Sequence, residues 1–324
     1  MTAKENAVPP YVNTGETIGF PPSRDEVERV VRRIAGNILH HTKRSFVEAK
    51  SGSLLVNLSG LTADENITLA DPYCDWKYWN GVIYIGMKRL GEELHHEEYV
   101  TYGAQNFTFI FKHLDFFKKR FEKRIPDAPF HQYFRMDRLD DCGAMGAALL
   151  ETLPGNNNEN WQQRIEQTAD YIMNKQERLA DGTFARCRFG KTTLWADDLY
   201  MSVPFLAGMY SYSGNDEYLR EAARQVLNFH KRLFEPFRGL YYHTWYLEEE
   251  TFGVAFWGRA NGWAAMAKCH LLDVLPAEDP DRTSVLKTLR EQITGFSRYQ
   301  SADGTWRQLT DKADSWAESS STAM

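Results

Sequence analysis

Apolar residues recur at intervals of three and four along most of the chain, the spacing that places them on one face of an α-helix. From residue 76 onward this holds for segments 76–94, 98–123, 138–153, 158–179, 197–213, 216–234, 258–275 and 281–299. Each is expected to be helical. An earlier helix is expected from Arg24, because Ser23 and Glu26 stand at the spacing of a capping box. Val27, Val30, Val31, Ile34 and Ile38 follow it at helical intervals. Alternation with period two is scarce, and only residues 239–254, GLYYHTWYLEEETFGV, predict a short β-hairpin.

A turn–glycine–aromatic pattern repeats between helices. It stands in LADGTFAR (179–186), FRGLYYH (237–243) and SADGTWRQ (301–308), with Gly182, Gly239 and Gly304 about 60 residues apart. That period fits a helical hairpin with its loops. The expected fold is therefore all-α, an (α/α)6 barrel or toroid of hairpins. Six hairpins need about 360 residues at this period, so the toroid is expected to lack its last helices. Residues 1–22, rich in Pro, Gly, Thr and Asn, predict an N-terminal arm, and residues 23–324 a single domain.

Composition narrows the function classes. Hydrophobic residues make up 43% and charged residues 25%, enough for a packed core. The aromatic share, 14%, leaves room for a cleft that stacks sugar rings. A net charge of −6 argues against nucleic acid, which needs basic patches. An acidic ligand would need local arginines. No run is apolar enough to span a membrane. The N-terminus has no apolar signal-peptide core, which points to the cytoplasm. Cys74, Cys142, Cys187 and Cys269 form no CxxC pair and are expected to be buried free thiols. No metal or nucleotide motif is present, so no cofactor is expected.

Three segments carry the chemistry. In RMDRLDDCGAMGAALLE (135–151) the acids precede a small-residue helix. One of Asp137 and Asp140 reads as a helix cap, whereas Asp141 shares a stripe with Ala144, Met145, Ala148 and Leu149, a costly place for an unpaired carboxylate. In TLWADDLYMSVPFLAGM (193–209) two acids again open an apolar helix, beside Trp195. A carboxyl group against an indole face is partly desolvated, the condition that suits a general acid. In FWGRANGWAAMAKCHLL (256–272) Trp257, Arg259 and Trp263 cluster, and a guanidinium there can grip a carboxylate bidentately beside a sugar platform. His243, among aromatics, reads as easily as a structural hydrogen-bonder as a catalyst.

Together WKYWNG (76–81), LDDCGAMGAAL (139–149), WADDLYMSVPFLA (195–207), YHTW (242–245), WGRANGW (257–263), DGTWRQ (303–308) and ESSSTAM (318–324) resemble the unsaturated rhamnogalacturonyl hydrolases, glycoside hydrolase family 105. They are more distantly similar to the unsaturated glucuronyl hydrolases, family 88. The resemblance implies an (α/α)6 barrel and a small acidic oligosaccharide as substrate. It implies Asp197 as the essential carboxylate, with Asp140 or Asp141 as the second. Tyr78, Trp195, His243, Trp257, Arg259 and Trp263 fall at substrate-cleft positions. Relatives commonly carry a histidine where this chain has Arg186, so Arg186 is expected to contact substrate in its place. The implied reaction hydrates the C4=C5 double bond of a terminal unsaturated uronate without a metal. Two rivals are an inverting glycosidase acting on saturated glycans, which needs opposed carboxylates, and a non-catalytic sugar-binding toroid.

Overall fold

A computed structural model describes residues 22–62, 65–125, 128–154, 158–188 and 190–324. Of the expected arm, residues 1–21 lie outside the described residues. Two compact units, Pro22–Lys175 and Gln176–Met324, hold the rest.

The N-terminal unit begins with α1 (Arg24–His41). Its capping box forms as expected: the Glu26 amide donates to Ser23 Oγ at 3.3 Å, and the Ser23 amide donates to the Glu26 carboxylate at 2.8 Å. Such a cap contributes about 1 kcal/mol. The apolar stripe of α1 departs from expectation, because Val27, Val30 and Ile34 are exposed and only Ala35 is buried. Next comes a three-stranded antiparallel sheet in the order β2-β1-β3, made of β1 (Phe46–Glu48), β2 (Leu54–Leu55) and β3 (Ile67–Leu69). Then follow α2 (Tyr78–Glu93), α3 (Glu97–Glu122), the single turn α4 (His131–Arg135), α5 (Gly143–Thr152) and α6 (Glu159–Asp170).

Helix α5 is buried on every side from Gly143 to Leu150, which its run of Gly, Ala and Leu permits. It packs against α2 and α3. A Cβ on Gly81 of α2 would lie 2.5 Å from the Ala144 carbonyl oxygen, so only glycine allows this approach. Several expected helices are shorter than their patterns. Segment 138–153 breaks at Cys142 (φ −138°) into a 3-10 turn, Leu139–Asp141, and α5. Segment 158–179 ends in a π turn over Tyr171–Lys175.

The C-terminal unit opens with β4 (Arg186–Arg188) and β5 (Lys191–Trp195), then a 3-10 turn over Ala196–Leu199. Helices α7 (Val203–Ser213) and α8 (Asp216–Leu233) follow. Short strands β6 (Phe234–Glu235), β7 (Leu240–Tyr241), β8 (Thr244–Tyr246) and β9 (Thr251–Phe252) lead to α9 (Gly258–Val274), α10 (Arg282–Phe296) and α11 (Ser319–Ala323). Helix α7 is apolar nearly all round and packs on α8 and α9, whereas α8 is amphipathic and buries Leu219, Ala222, Ala223, Val226, Phe229 and Leu233. Gly182, Gly239 and Gly304 of the repeat all adopt positive φ (84°, 69° and 84°), the left-handed conformation that favours glycine.

The expected hairpin over 239–254 is part of something larger. β8 pairs with β9, but also with β5, giving the antiparallel order β4-β5-β8-β9. Strands of two to five residues are too short to print an alternation on the sequence. Two of the four thiols depart from expectation: Cys74 and Cys142 are buried, Cys187 and Cys269 exposed. Among the described residues no helix is long and apolar enough to cross a membrane.

Candidate active site

The β5–β8 pairing places Asp197. Trp195 at the end of β5 stands opposite Thr244, and the next amide, Ala196 N–H, donates to the His243 carbonyl at 2.9 Å. The chain then turns through a 3-10 turn that carries Asp197 and Asp198. Adjacent residues in so tight a turn point different ways, and these two have opposite fates. Asp198 is fully buried and accepts a bidentate pair from Arg186, Nε to Oδ2 at 2.8 Å and Nη2 to Oδ1 at 2.5 Å. Asp197 keeps 13% of its side chain accessible, and its Oδ2 lies 3.2 Å from His243 Nε2. That contact lacks hydrogen-bond alignment, so both atoms are buried without a hydrogen-bond partner. Polar atoms left in that condition are costly, and an acid next to an imidazole is equipped to exchange a proton with a bound molecule.

Aromatic rings wall this contact. His243 meets Trp195 edge-on with ring centroids 5.1 Å apart, and Trp257 likewise at 4.9 Å. Arg186 lies over the Trp195 ring at 4.9 Å, so one guanidinium fixes both Asp198 and the indole. Trp257 is the residue that caps the start of α9, and Arg259 lies over its ring at 3.8 Å. Arg259 is ion-paired with Glu318, and it donates to Ser320 Oγ at 3.2 Å. Glu318 also accepts from Trp257 Nε1 at 3.2 Å. Gly258 lets this segment close: a Cβ there would lie 2.0 Å from Ser321 Oγ.

The other expected residues are distributed as follows. Trp263 is only 4% exposed and packs on Tyr200 with centroids 4.6 Å apart, so it is core rather than a stacking face. Arg186, expected to touch substrate, is 8% exposed and committed to Asp198, because a buried guanidinium requires a charged partner. In the N-terminal unit, Asp141 is fully buried and held bidentately by Arg135, with Nε 2.8 Å from Oδ2. It also accepts the Asp137 amide at 3.1 Å. Burial pushes the Asp141 carboxyl up, and Arg135 opposes that shift. Asp140, the neighbour in the same 3-10 turn, is half-buried. Tyr78 begins α2 half-buried, edge-on to the exposed Trp79 at 5.1 Å. Arg135, Asp198 and Glu318 were not singled out from the sequence. All three lie in stretches already quoted (Arg135 in RMDRLDD, Asp198 in WADD, Glu318 in ESSSTAM), but their partners are fixed only by the fold. Among the described residues no three His, Cys, Asp or Glu side chains gather to hold a metal ion.

Comparison with known proteins bears on this geometry. Residues 60–324 match the sequence profile described as Glycosyl Hydrolase Family 88. The unsaturated rhamnogalacturonyl hydrolase YesR of Bacillus subtilis (strain 168) is 25% identical over 256 residues, which cover 76% of this chain and 68% of that protein. An unsaturated 3S-rhamnoglycuronyl hydrolase of Formosa agariphila is 26% identical over 129 residues, 36% of this chain and 34% of the relative. A crystal structure of a possible GH105 member from Salmonella enterica serovar Paratyphi A aligns with a TM-score of 0.72 at 21% identity, over 95% of this chain and 75% of that one. A possible GH105 member from Klebsiella pneumoniae gives 0.71 at 20% identity, over 95% and 77%. These structural matches establish the expected fold class, an all-α assembly of helical hairpins.

Proposed function

The chain belongs to glycosyl hydrolase family 88, and from that premise we propose that it releases a terminal 4,5-unsaturated uronic acid from short acidic oligosaccharides, rhamnogalacturonan products first. The observation that carries the reading is the Asp197–His243 contact, 3.2 Å long and walled by Trp195 and Trp257. Asp197 protonates C4 of the vinyl ether. Positive charge develops at C5, and a water adds there after losing its proton to a carboxylate. The C5 hemiketal opens by breaking its bond to the ring oxygen, which leaves a ketone at C5 and a hemiacetal at C1. That hemiacetal expels the aglycone alcohol and becomes an aldehyde. One water is consumed: the proton it loses to a carboxylate replaces the one given to C4, and its other proton passes through the ring oxygen to the departing alcohol. His243 lies 3.2 Å from Asp197 and can exchange a proton with it during turnover.

We assign the second carboxylate to Asp140, on the sequence motif and on its local setting. Asp141 is locked by Arg135, whereas Asp140 is half-buried. Trp257 supplies the stacking face. Arg259 is the cation beside it, but Glu318 already neutralises it, so a uronate that binds Arg259 has to share or displace that carboxylate. Arg186 acts indirectly, by fixing Asp198 and Trp195.

The test follows ultraviolet absorbance of the conjugated C4=C5 bond, with lyase-generated oligosaccharides from rhamnogalacturonan, ulvan and glycosaminoglycans. Wild type is expected to bleach one class and Asp197→Asn to bleach none, a loss of at least about 10²–10⁴-fold for a general acid. Asp140→Asn is expected to lower kcat, and Asp141→Asn to lower stability first. Turnover of saturated glycans without any loss of the chromophore would replace this reading with an inverting glycosidase.

A further inference from the structure

Away from Asp197, the C-terminal unit carries a cavity of about 640 Å³ between the ends of α8 and α10 and the β6–β7 turn. None of the residues around Asp197 lines it. Its walls hold Lys231, Lys287, Arg290 and Arg298, together with His230 and with Glu291 as the single acid. Lys287 shares Glu291 at 3.8 Å and His230 Nε2 lies 3.2 Å from it. Lys231, Arg290 and Arg298 have no carboxylate partner among the described residues. This is a concentrated positive pocket on a protein whose net charge is −6.

Two ordinary explanations fall short. Cations gather at helix C-termini to offset the helix dipole, and Lys231 in the last turn of α8 fits that account. Arg298, in the 3-10 turn that continues α10, fits it as well, but Lys287 and Arg290 stand earlier in α10, whose own last turn has no basic residue. A solvated charged face is the second explanation, but such faces interleave signs and have no floor. Here the floor is built. Gly239 and Gly295 cross so closely that a Cβ on Gly239 would lie 2.5 Å from Gly295 Cα. One wall is apolar: Phe234 stacks on His230, with centroids 4.3 Å apart and planes 24° apart. Guanidinium forks for oxyanions beside an aromatic face suit a sugar that carries acid groups.

We propose that this pocket is a second carbohydrate-binding site, which holds an acidic glycan through its carboxylates on Arg290 and Arg298 and through its ring on Phe234. It takes from the function above only the substrate class; it requires no turnover. The site would retain a uronate chain on the enzyme while the end of that chain, or of a neighbour, is processed at Asp197.

Calorimetric titration with saturated tetragalacturonate, which has no C4=C5 bond, tests it in wild type and in an Arg290→Ser/Arg298→Ser variant. Both side chains are exposed, so the variant is expected to melt as wild type does. Saturable binding should weaken about tenfold or more in the variant, equivalent to roughly 1.4 kcal/mol. It should also weaken as salt rises, because exposed charges are screened. Chromophore loss with a short unsaturated disaccharide should be equal in the two proteins. Equal binding of tetragalacturonate to both proteins, or none to wild type, overturns the proposal. Inorganic phosphate binding as tightly as the glycan overturns it as well, leaving only a general oxyanion pocket. The readout is binding alone, so failure of the hydration chemistry and failure of this site are told apart.

Discussion

Replacing Arg186 by alanine separates a structural arginine from a substrate-gripping one. Asp198 is fully buried, and both its carboxylate oxygens are occupied by Arg186, at 2.8 and 2.5 Å. Removing the guanidinium takes the bidentate ion-pair partner from a fully buried carboxylate. Breaking a buried pair from one side costs about 3–5 kcal/mol. At about 2–4 °C per kcal/mol for a domain of this size, the melting temperature should fall by about 6–20 °C. Arg186→Ala/Asp198→Ala removes the buried carboxylate together with its ion-pair partner and should recover a large part of that loss. The coupling energy from the cycle, read by denaturant unfolding, should exceed about 1 kcal/mol, as expected of residues in contact. Activity of the single variant should fall through kcat, because Asp197 is the next residue along the same turn and Trp195 loses the cation over its ring. The reasoning fails if Arg186→Ala melts with wild type and only its KM rises, since that is the behaviour of a ligand contact.

Other outcomes are accessible to simple assays. Glu318→Gln releases the charge on Arg259, and KM for an unsaturated uronyl oligosaccharide should drop severalfold; a rise in KM would make Glu318 a positioning residue instead. His230 is held down to about 4, chiefly by burial, with Lys268 and Lys287 adding to it, and this outweighs the contact with Glu291. Its unfolded form takes up a proton near 6.5 while the folded form resists until about 4, so it contributes stability above about 6.5 that is lost as pH falls through that window. His230→Gln should flatten the stability–pH curve there, and an unchanged slope would show that other groups set it. Gly295→Ala drives a Cβ to 2.4 Å from Gly239 Cα and should cost about 1–3 kcal/mol by overpacking; a melting temperature equal to wild type would mean that the β6–β7 turn gives way freely.

Helices were legible in the chain because each carries enough turns to repeat its apolar spacing. Segment 216–234 became α8 almost residue for residue, and Ser23 capped α1 as its spacing required. What escaped were events confined to a few residues. The break at Cys142 and the 3-10 turn before α7 change direction within a single turn, below the length at which periodicity has meaning. The site shows the same limit. WADD announces two acids without saying which one is neutralised, since the answer lies with Arg186, eleven and twelve residues upstream and across a strand pair. LDD poses the same problem, decided locally by Arg135. Trp263 is indistinguishable from Trp257 in sequence, yet only the latter begins its helix; Trp263 lies inside the first turns, on the face toward Tyr200.

The bond from the Ala196 amide to the His243 carbonyl makes the proposed Asp197–His243 pair a reporter of its own assembly. Asp197 and His243 are far apart in the chain and meet only through the alignment of β5 with β8. A slip of one residue between those strands would turn alternate side chains to the opposite face. The helices could remain intact, yet Trp195 would point away and the acid would lose its imidazole. On the proposed function, a population refolded with the wrong alignment would thus keep its helical signal and be inert. Specific activity, compared with helical content after refolding, then counts the molecules in which two short strands have found their proper match.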